Sequence, residues 1–312
     1  MATTPVLAAE DLCKRFFATM ALDHVAFELA AGEVHALVGE NGAGKSTLIK
    51  VFGGIHRPET GRILVDGTAV AFHSPADAYA KGIAVIGQEL RVVPALSVAE
   101  NVMLGHLPAR PLLPWLATPR HLDRARMREL ARDALARLNL SFDLDARVDT
   151  LNFAERQSIA IARALSRRTR ALVLDEPTAA LEEREVRSLF AVIENLKAAG
   201  VALLYVSHRL DEIVAIADRC TVMRDGKVVA EYARGGFLAD ELARAMTGRD
   251  IEKEHAPSGV APGEELLEAA HAGEFRLHAR EVIGVAGLLG SGTTDFLRKL
   301  FGAEGGTRTR RR

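Results

Sequence analysis

Short apolar runs along the chain alternate with longer segments whose apolar residues recur at helical spacing. This alternation is typical of a parallel β-sheet that is covered by helices. Between two of the runs, the segment Glu183 to Ala199 carries its apolar residues on one helical stripe that can lie on the sheet. The pattern therefore predicts an α/β fold. The predicted strands are Val25 to Leu29, Val34 to Val38, Ile63 to Val65, Ile83 to Ile86, Ala171 to Leu174 and Val201 to Val206.

Turn residues and prolines predict one hairpin and one insertion. The dipeptide Asp225-Gly226 lies between two β-rich runs and predicts a small antiparallel element after the main sheet. Four prolines within residues 105–119 predict irregular chain rather than regular helix. Apolar residues then recur at helical spacing from His121 to Asn139, so we predict a helical insertion in the α/β core over about 96–158.

The chain is predicted to hold a first domain over residues 1–248 and the start of a second copy over 264–312. Residues 249–263 are charged and contain proline and glycine, which predicts a linker. Because a whole second copy would need about 496 residues in total, we expect this copy to be truncated. The residue pairs that match at a separation of 248 are Glu33 and Glu281, Val34 and Val282, Gly39 and Gly287, Gly42 and Gly290, Gly44 and Gly292, Gly54 and Gly302, Phe27 and Phe275, and Leu29 and Leu277.

Composition narrows the class of protein. Lys and Arg number 40 against 41 Asp and Glu, and a net charge of -1 provides no basic field for nucleic acid. Cys13 and Cys220 lie far apart without a CxxC motif, which predicts neither a disulfide framework nor a zinc site and fits a cytoplasmic chain. The sequence has no leader pattern and no apolar run of about 18 residues, so we expect no segment that enters or spans a membrane.

A glycine-rich segment predicts a phosphate-binding loop. It fits the pattern G-x-x-x-x-G-K-[ST] and lies between a predicted strand and a helical segment, which is the context that this motif requires. Its N–H groups and the following helix N-terminus can surround phosphate oxygens, while Lys45 neutralises the β- and γ-phosphates and Ser46 ligates Mg²⁺. A glycine-rich turn without a ligand is the alternative. The residues of this segment are Gly39, Glu40, Asn41, Gly42, Ala43, Gly44, Lys45, Ser46 and Thr47.

Two carboxylates follow a predicted buried strand. The strand at 171–174 leads directly into Asp175 and Glu176, and a buried strand does not normally end in this way without a charged partner. Asp175 can hold Mg²⁺ directly or through water, and Glu176 is placed to polarise a water that attacks the γ-phosphate. A helix N-cap before Pro177 is the alternative interpretation.

With these segments in order, the chain resembles the ABC ATPases over residues 6 to about 248. Lys45, the run Asp175 to Thr178 and the run Tyr205 to His208 are similar to the Walker A, Walker B and switch motifs of that family. The resemblance implies an α/β fold with a P-loop NTPase core, an antiparallel β subdomain and a helical insertion. It also implies ATP and Mg²⁺ as cofactors.

The resemblance gives roles to three further residues. Phe16 resembles the aromatic residue that stacks on adenine, with a core aromatic as the alternative. Gln88 resembles the glutamine that reaches Mg²⁺ and water and senses the membrane partner, with a solvated loop glutamine as the alternative. His208 resembles the switch histidine that contacts the γ-phosphate, with an isolated histidine after a strand as the alternative.

The signature motif departs from the family pattern. In the family, Leu-Ser-Gly-Gly-Gln opens a helix and caps the γ-phosphate that is bound to the other ATPase unit. The amide of Asn152 and the N–H of Ala154 can still donate hydrogen bonds, so we expect a weakened contact. The residues at these positions here are Leu151, Asn152, Phe153, Ala154 and Glu155.

Two further positions differ from the family pattern. Glu182 stands where the family often has an aspartate. In the second copy, Thr293 stands where the first copy has Lys45. Since a threonine cannot neutralise phosphates, no catalytic role is predicted for residues 264–312.

Three features narrow the resemblance to a subclass of the family. The run Glu33 to Thr47, the segment Gln88 to Leu90 and the repeat resemble the ATP-binding subunits of bacterial sugar importers of the ribose, xylose and galactose class. The resemblance implies ATP hydrolysis that powers carbohydrate import, by a peripheral subunit on the cytoplasmic side of the inner membrane. It implies two permease subunits, a periplasmic sugar-binding protein that acts through them, and either a homodimer or a second ATPase half.

Two other functions remain open from the sequence. Asn152, Ala154 and the incomplete repeat also fit a truncated or regulatory nucleotide-binding subunit with little hydrolysis. The third possibility is an ABC ATPase that acts on macromolecules without a transporter, and the balanced charge of the chain disfavours it.

Overall fold

A computed structural model of the chain describes residues 4–111, 120–248, 263–269, 275–287 and 291–301. These residues divide between two units, Met1–Ile251 and Glu252–Arg312. The predicted linker lies outside the described residues except for Gly263, so the domain bounds stay predictions. Across the described ranges, no helix is both long enough and apolar enough to cross a membrane.

Strands and helices alternate through the first unit. Its strands are β1 (Leu7–Phe16), β2 (Thr19–Leu29), β3 (Val34–Gly39), β4 (Thr60–Val65), β5 (Thr68–Val70), β6 (Ile83–Ile86), β7 (Ala109–Pro111), β8 (Arg120–Leu122), β9 (Ala171–Asp175), β10 (Ala202–Val206), β11 (Arg219–Arg224) and β12 (Lys227–Ala233). Its helices are α1 (Lys45–Phe52), α2 (Pro75–Ala80), α3 (Val98–Val102), α4 (Arg124–Ala136), α5 (Phe153–Leu165), α6 (Glu183–Ala198), α7 (Leu210–Ile216) and α8 (Ala239–Thr247), with a 3-10 helix at Val148–Thr150. The second unit contains β13 (Glu265–Ala269), β14 (Phe275–His278) and α9 (Thr293–Phe301).

The main sheet has six strands in the order β12-β11-β3-β10-β9-β6. All neighbouring strands are parallel except β11 and β12. Strands β3, β9 and β10 are buried along nearly their whole length. Because strands that are buried on both faces need apolar residues at every position, their sequences are continuous apolar runs. The prediction of an α/β fold is confirmed.

The hairpin at Asp225-Gly226 is part of the main sheet rather than an element after it. Strand β11 pairs antiparallel with β12 and also parallel with β3, where Thr221 lies opposite Leu37. The predicted antiparallel hairpin is confirmed, but the prediction that it follows the main sheet was wrong. Turn residues specify the pairing of the two strands that they join, and they carry no information about a third strand.

A second sheet has four antiparallel strands in the order β2-β1-β4-β5. Two predicted strands, at 25–29 and 63–65, belong to this sheet and not to the parallel one. The sequence pattern does not predict β1, because Glu10 and Asp11 interrupt its apolar run and the register shifts there. The sheet packs on the first helix, where the rings of Phe27 and Phe52 lie 5.9 Å apart.

Helices α3, α4 and α5 pack against one another and form the helical insertion. Helix α4 begins at Arg124 rather than at His121, because the carboxylate of Asp123 accepts a hydrogen bond from the Arg126 N–H (3.0 Å) and caps the helix there. Helix α5 ends at Leu165, beyond the predicted bound at 158. The predicted irregular segment 105–119 contains the short strand β7, and residues 112–119 lie outside the described ranges.

Candidate functional site

Four neighbouring strands bring the predicted site residues to one edge of the main sheet. Strand β3 leads into the glycine-rich loop, β6 leads towards Gln88, β9 ends at Asp175 and β10 leads into His208. These strands are adjacent in the sheet and parallel, so their carboxyl ends meet at the same edge. In open α/β sheets this edge is the usual place of a ligand site.

The loop between β3 and α1 depends on its glycines. Gly42 and Gly44 have φ angles of +88° and +105°, in the left-handed region. A Cβ atom at Gly44 would lie 2.5 Å from the carbonyl oxygen of Ala21, and one at Gly39 would overlap the carbonyl oxygen of Met223. Only glycine at positions 39 and 44 is therefore compatible with the path of the loop.

Helix α1 leaves its N-terminal N–H groups available to an anion. Gly44 is the N-cap residue, no described side chain caps the first turn, and no acidic residue stands in it. The N-terminus of a helix carries a partial positive charge. The loop and the helix together therefore form a site that is suited to phosphate.

The side chain of Lys45 turns back into the glycine-rich loop that precedes it. Its Nζ donates hydrogen bonds to the carbonyl oxygens of Gly39 (2.6 Å) and Glu40 (3.0 Å). Burial lowers the pKa of the Lys45 ammonium, and the charges of Glu176 and Asp175 act in the opposite direction. The ammonium is thus held by the loop and interacts electrostatically with the two carboxylates.

Asp175 is half-buried at the end of β9. Burial raises its pKa, and the Glu176 carboxylate raises it further, while Lys45 and Lys50 act against both effects. Two neighbouring carboxylates in a partly buried place are stabilised by a cation. The Asp175 carboxylate and the hydroxyl and amide oxygens of Ser46 and Gln88 are the donor types that Mg²⁺ accepts, so this set of residues fits that ion.

Glu176 has an unusual backbone and a histidine neighbour. Its φ angle is +49°, which costs energy for a residue other than glycine. Its N–H donates a hydrogen bond to the carbonyl oxygen of Val206 (2.8 Å), and its Oε1 lies 3.3 Å from Nδ1 of His208. The structure therefore brings together two of the predicted catalytic residues, and strained backbone of this kind is common at functional sites.

Gln88 follows β6 of the main sheet, whereas Phe16 ends β1 of the antiparallel sheet. Gln88 is exposed, two residues after β6. Phe16 is half-buried at the end of β1, where its ring meets the ring of His56 at 5.1 Å and Nζ of Lys14 lies 5.3 Å from its centroid. The next residue, Phe17, is fully exposed. The predicted contacts of Gln88 with Mg²⁺ and of Phe16 with adenine stay predictions.

The segment Leu151 to Glu155 opens helix α5. The Oδ1 of Asn152 accepts a hydrogen bond from the Glu155 N–H, and the Glu155 carboxylate accepts one from the Asn152 N–H, both at 2.9 Å. Asn152 and Phe153 are exposed. Since the cap occupies the Asn152 oxygen, its amide NH₂ group is the part of the side chain that can reach a ligand.

Sequence reasoning missed a buried carboxylate behind the site. Glu212 lies on α7 and is 5% exposed. It stands four residues after His208, and an acid inside an otherwise apolar helical stripe is the signal that could have revealed it.

Comparisons with known proteins agree with this geometry. The profile of the ABC transporter family matches residues 22–179. The Ribose import ATP-binding protein RbsA 1 of Rubrobacter xylanophilus is 46% identical over 308 residues, which cover 96% of this chain and 60% of that protein. The protein of the same name from Streptomyces coelicolor is 42% identical over 310 residues, which cover 97% of this chain and 60% of that protein. The chain thus spans about 60% of the length of these relatives.

Solved structures show the same fold. A nucleotide-free ATP-binding cassette from an ABC transporter matches with a TM-score of 0.66 and 27% identity, covering 78% of this chain and 96% of that one. An ATP-binding cassette of an ABC transporter in its ADP conformation matches with a TM-score of 0.66 and 28% identity, covering 80% of this chain and 97% of that one. The predicted fold class is confirmed.

Proposed function

The chain belongs to the ABC transporter family, and we propose that it binds and hydrolyses ATP to power carbohydrate import through an ABC transporter. The observation that carries the proposal is the meeting of Lys45, Asp175, Glu176 and His208 at one edge of the main sheet. The names of the relatives, which are ribose import ATP-binding proteins, support import and a sugar as the cargo.

Binding of ATP is assigned to the glycine-rich loop and its neighbours. The N–H groups from Gly39 to Thr47 and the ammonium of Lys45 hold the β- and γ-phosphates. Phe16 stacks on the adenine. Ser46, Asp175 and Gln88 would hold Mg²⁺, which supplies positive charge to the phosphate oxygens.

Hydrolysis is assigned to Glu176 and His208. The Glu176 carboxylate orients a water molecule and accepts its proton as the water oxygen bonds to the γ-phosphorus and the bond to ADP breaks. His208 donates a hydrogen bond to the γ-phosphate, and its contact with Glu176 at 3.3 Å orients the ring. The φ angle of +49° at Glu176 supports a role that depends on the orientation of its side chain.

A second ATPase unit completes the site in this proposal. The segment Leu151 to Glu155 faces the γ-phosphate on the other unit, which is either another copy of this chain or a separate ATPase half. The Asn152 NH₂ group and the Ala154 N–H replace the donors of the usual signature. Closure of the two units then moves two permease subunits, which receive the sugar from a periplasmic binding protein. The chain acts on the cytoplasmic side of the inner membrane and needs no nucleic acid.

The test is the rate of ATP hydrolysis at increasing protein concentration, for the natural chain, Lys45→Ala and Glu176→Gln. We expect a rate that rises faster than linearly and is lost in both variants. Glu194→Gln is a control of equal charge change at an exposed position on α6. In Mg·ATP, Glu176→Gln should form a stable dimer in light scattering. Nucleotide binding without turnover at any concentration, with or without permease subunits, would contradict hydrolysis by this chain.

A further inference from the structure

Glu212 gathers three hydroxyl groups on one oxygen atom. Its side chain is 5% exposed and lies between α7 and the site edge of the main sheet. All three hydroxyls donate hydrogen bonds to Oε2. They belong to Thr178 (2.7 Å), Tyr205 (2.9 Å) and Ser207 (3.1 Å).

Two of these hydroxyls, those of Thr178 and Ser207, lie on the two loops that carry the proposed catalytic residues, and the third belongs to Tyr205 on β10. Thr178 follows Glu176 by two residues, and Ser207 directly precedes His208. The loops meet again where the Glu176 N–H donates to Val206 O at 2.8 Å. Glu212 therefore contacts the same two segments that carry Glu176 and His208.

The cost of burying the Glu212 carboxylate makes its hydrogen bonds expensive to break. An ionised carboxylate is costly to bury unless charged or strongly polar partners surround it. The three hydroxyls serve Oε2, and Nη1 of Arg209 lies 2.7 Å from Oε1. Burial and the Glu212 charge raise the pKa of Tyr205, which keeps the phenol in its donor form. Each hydroxyl stabilises the buried Glu212 carboxylate. Displacement of either loop would therefore remove hydrogen bonds from this carboxylate.

We propose that Glu212 is a positioning residue for ATP hydrolysis, which ties the Thr178 loop to the Ser207 loop and so fixes Glu176 against His208. This inference rests on the proposed function. It deepens that function, because it assigns the geometry of the two catalytic side chains to a residue outside the set that is assigned to ATP, Mg²⁺ and the attacking water.

The sheet offers a matched control for the loss of one buried hydrogen bond. Thr221 on β11 donates or accepts at 2.7 Å with Nε2 of the buried His35, and its hydroxyl is as deeply buried as that of Thr178. Thr221 contacts neither of the two loops in its hydrogen bonding. Thr178→Val and Thr221→Val therefore each remove one buried side-chain hydrogen bond, to a carboxylate in the first case and to an imidazole in the second, at different places.

The first measurement is steady-state ATP hydrolysis by Glu212→Gln, Thr178→Val, Ser207→Ala and Thr221→Val. We expect kcat to fall about ten- to a hundredfold in Glu212→Gln and less in the two single-hydroxyl variants, because a shift of about 1 Å at a catalytic group has an effect of this size. KM for ATP should stay within about twofold, since Lys45 and its loop are untouched. Thr221→Val should keep the natural kcat.

The second measurement does not need activity. Amide hydrogen exchange of the full chain reports the Glu176 N–H, whose bond to Val206 O joins the loops. We expect faster exchange at Glu176 in Glu212→Gln, Thr178→Val and Ser207→Ala than in Thr221→Val. If Glu212→Gln fails to fold, the two single-hydroxyl variants decide the matter.

Two results would overturn the inference. One is a kcat in the three cluster variants within about twofold of that of Thr221→Val, at equal loss of thermal stability. The other is unchanged exchange at Glu176 in all of them. A natural chain that never hydrolyses ATP would overturn the proposed function instead, and the exchange result would still decide whether Glu212 holds the two loops.

Discussion

Two helices of this chain begin 248 residues apart, after glycine-rich segments of the same pattern, but only one of them is packed. Helix α1 buries Leu48, Ile49, Val51 and Phe52. Helix α9 begins at Thr293, the position equivalent to Lys45, and none of its residues is buried. The local pattern is therefore sufficient to start a helix, and it is not sufficient to bury one.

The segments before these helices differ more strongly. Strand β3 is buried throughout, and it pairs with β10 on one side and β11 on the other. The equivalent residues 282–287 form no strand, and among the described residues of the second unit none pairs with them. Val34 is 0% exposed, whereas Val282 is 98% exposed. A strand in the middle of a parallel sheet is thus made by partners that come from distant parts of the chain.

The largest difference between the two copies should lie at the lysine. We expect Lys45→Ala to lower kcat for ATP at least about a hundredfold, because the charge that faces the phosphates is removed. Thr293→Ala, at the equivalent position, should leave kcat unchanged. The measurement is steady-state hydrolysis with a nucleotide-binding titration alongside. Equal losses in the two variants would mean that the second copy also acts on the nucleotide.

The glycine before each helix should give the next largest difference. Gly44 has a φ angle of +105° and a carbonyl oxygen 2.5 Å from the place of a Cβ, so Gly44→Ala should lower the free energy of unfolding by about 3 kcal/mol. Gly292 has a φ angle of +83°, and no atom of the described residues lies within 4 Å of the place of its Cβ, so Gly292→Ala should cost about 1 kcal/mol. Urea denaturation followed by circular dichroism compares them, and similar costs would contradict the steric argument.

The two equivalent valines test burial alone. Val34→Ala should lower the free energy of unfolding by about 2 kcal/mol, because it leaves a small cavity in the main sheet. Val282→Ala should change it by less than about 0.5 kcal/mol, since the side chain is already in water. Thermal and urea unfolding of both variants provide the measurement. A large effect at Val282 would show that the second unit buries this residue in solution.

The smallest difference concerns pH. Burial raises the pKa of Glu33 above its usual 4.5, whereas the hydrogen bond from the His278 N–H lowers the pKa of Glu281. A raised pKa stabilises the fold at low pH, and this contribution is lost as the pH rises through the folded value. Relative to Glu33→Gln, the natural chain should thus become less stable as the pH rises above about 4.5. Relative to Glu281→Gln it should become more stable as the pH rises towards 4.5.

Substitution of one glutamate at a time assigns each pH-dependent change in stability to a single residue. The difference in free energy of unfolding between each variant and the natural chain is measured across the pH range. For Glu33→Gln we expect only a small change, because the hydrogen bond from the Ala30 N–H and the charge of Arg219 offset part of the effect of burial. A common sign for both variants would contradict the opposite environments of the two residues.

Much of the candidate site could be predicted from the sequence because its residues follow strong local patterns. The glycines and Lys45 occupy fixed positions after an apolar strand, and Asp175 and Glu176 interrupt a buried run. These signals come from short stretches of chain. The parallel strands β9 and β10 could also be predicted from the sequence, because a strand that is buried on both faces has a continuous apolar run.

The remaining features depend on contacts that no local pattern contains. Strand β1 escapes the sequence pattern because Glu10 and Asp11 interrupt its apolar run. Strand β11 joins β3 through a pairing that its turn does not specify. Glu212 is four residues from a predicted site residue, but its role depends on hydroxyls from two other segments. Sequence periodicity records which residues are buried, and it does not record which segments they meet.

The strand order also bears on how the protein is made. Strand β3 ends at Gly39, but its two neighbours begin at Ala202 and Arg219. During synthesis, which runs from the N-terminus, the glycine-rich loop leaves the ribosome long before the strands that hold it in place. Such late, long-range pairing slows folding. The nascent chain therefore carries an unpaired apolar strand through most of the translation of this unit, and chaperones that bind extended apolar segments would have their longest opportunity at β3.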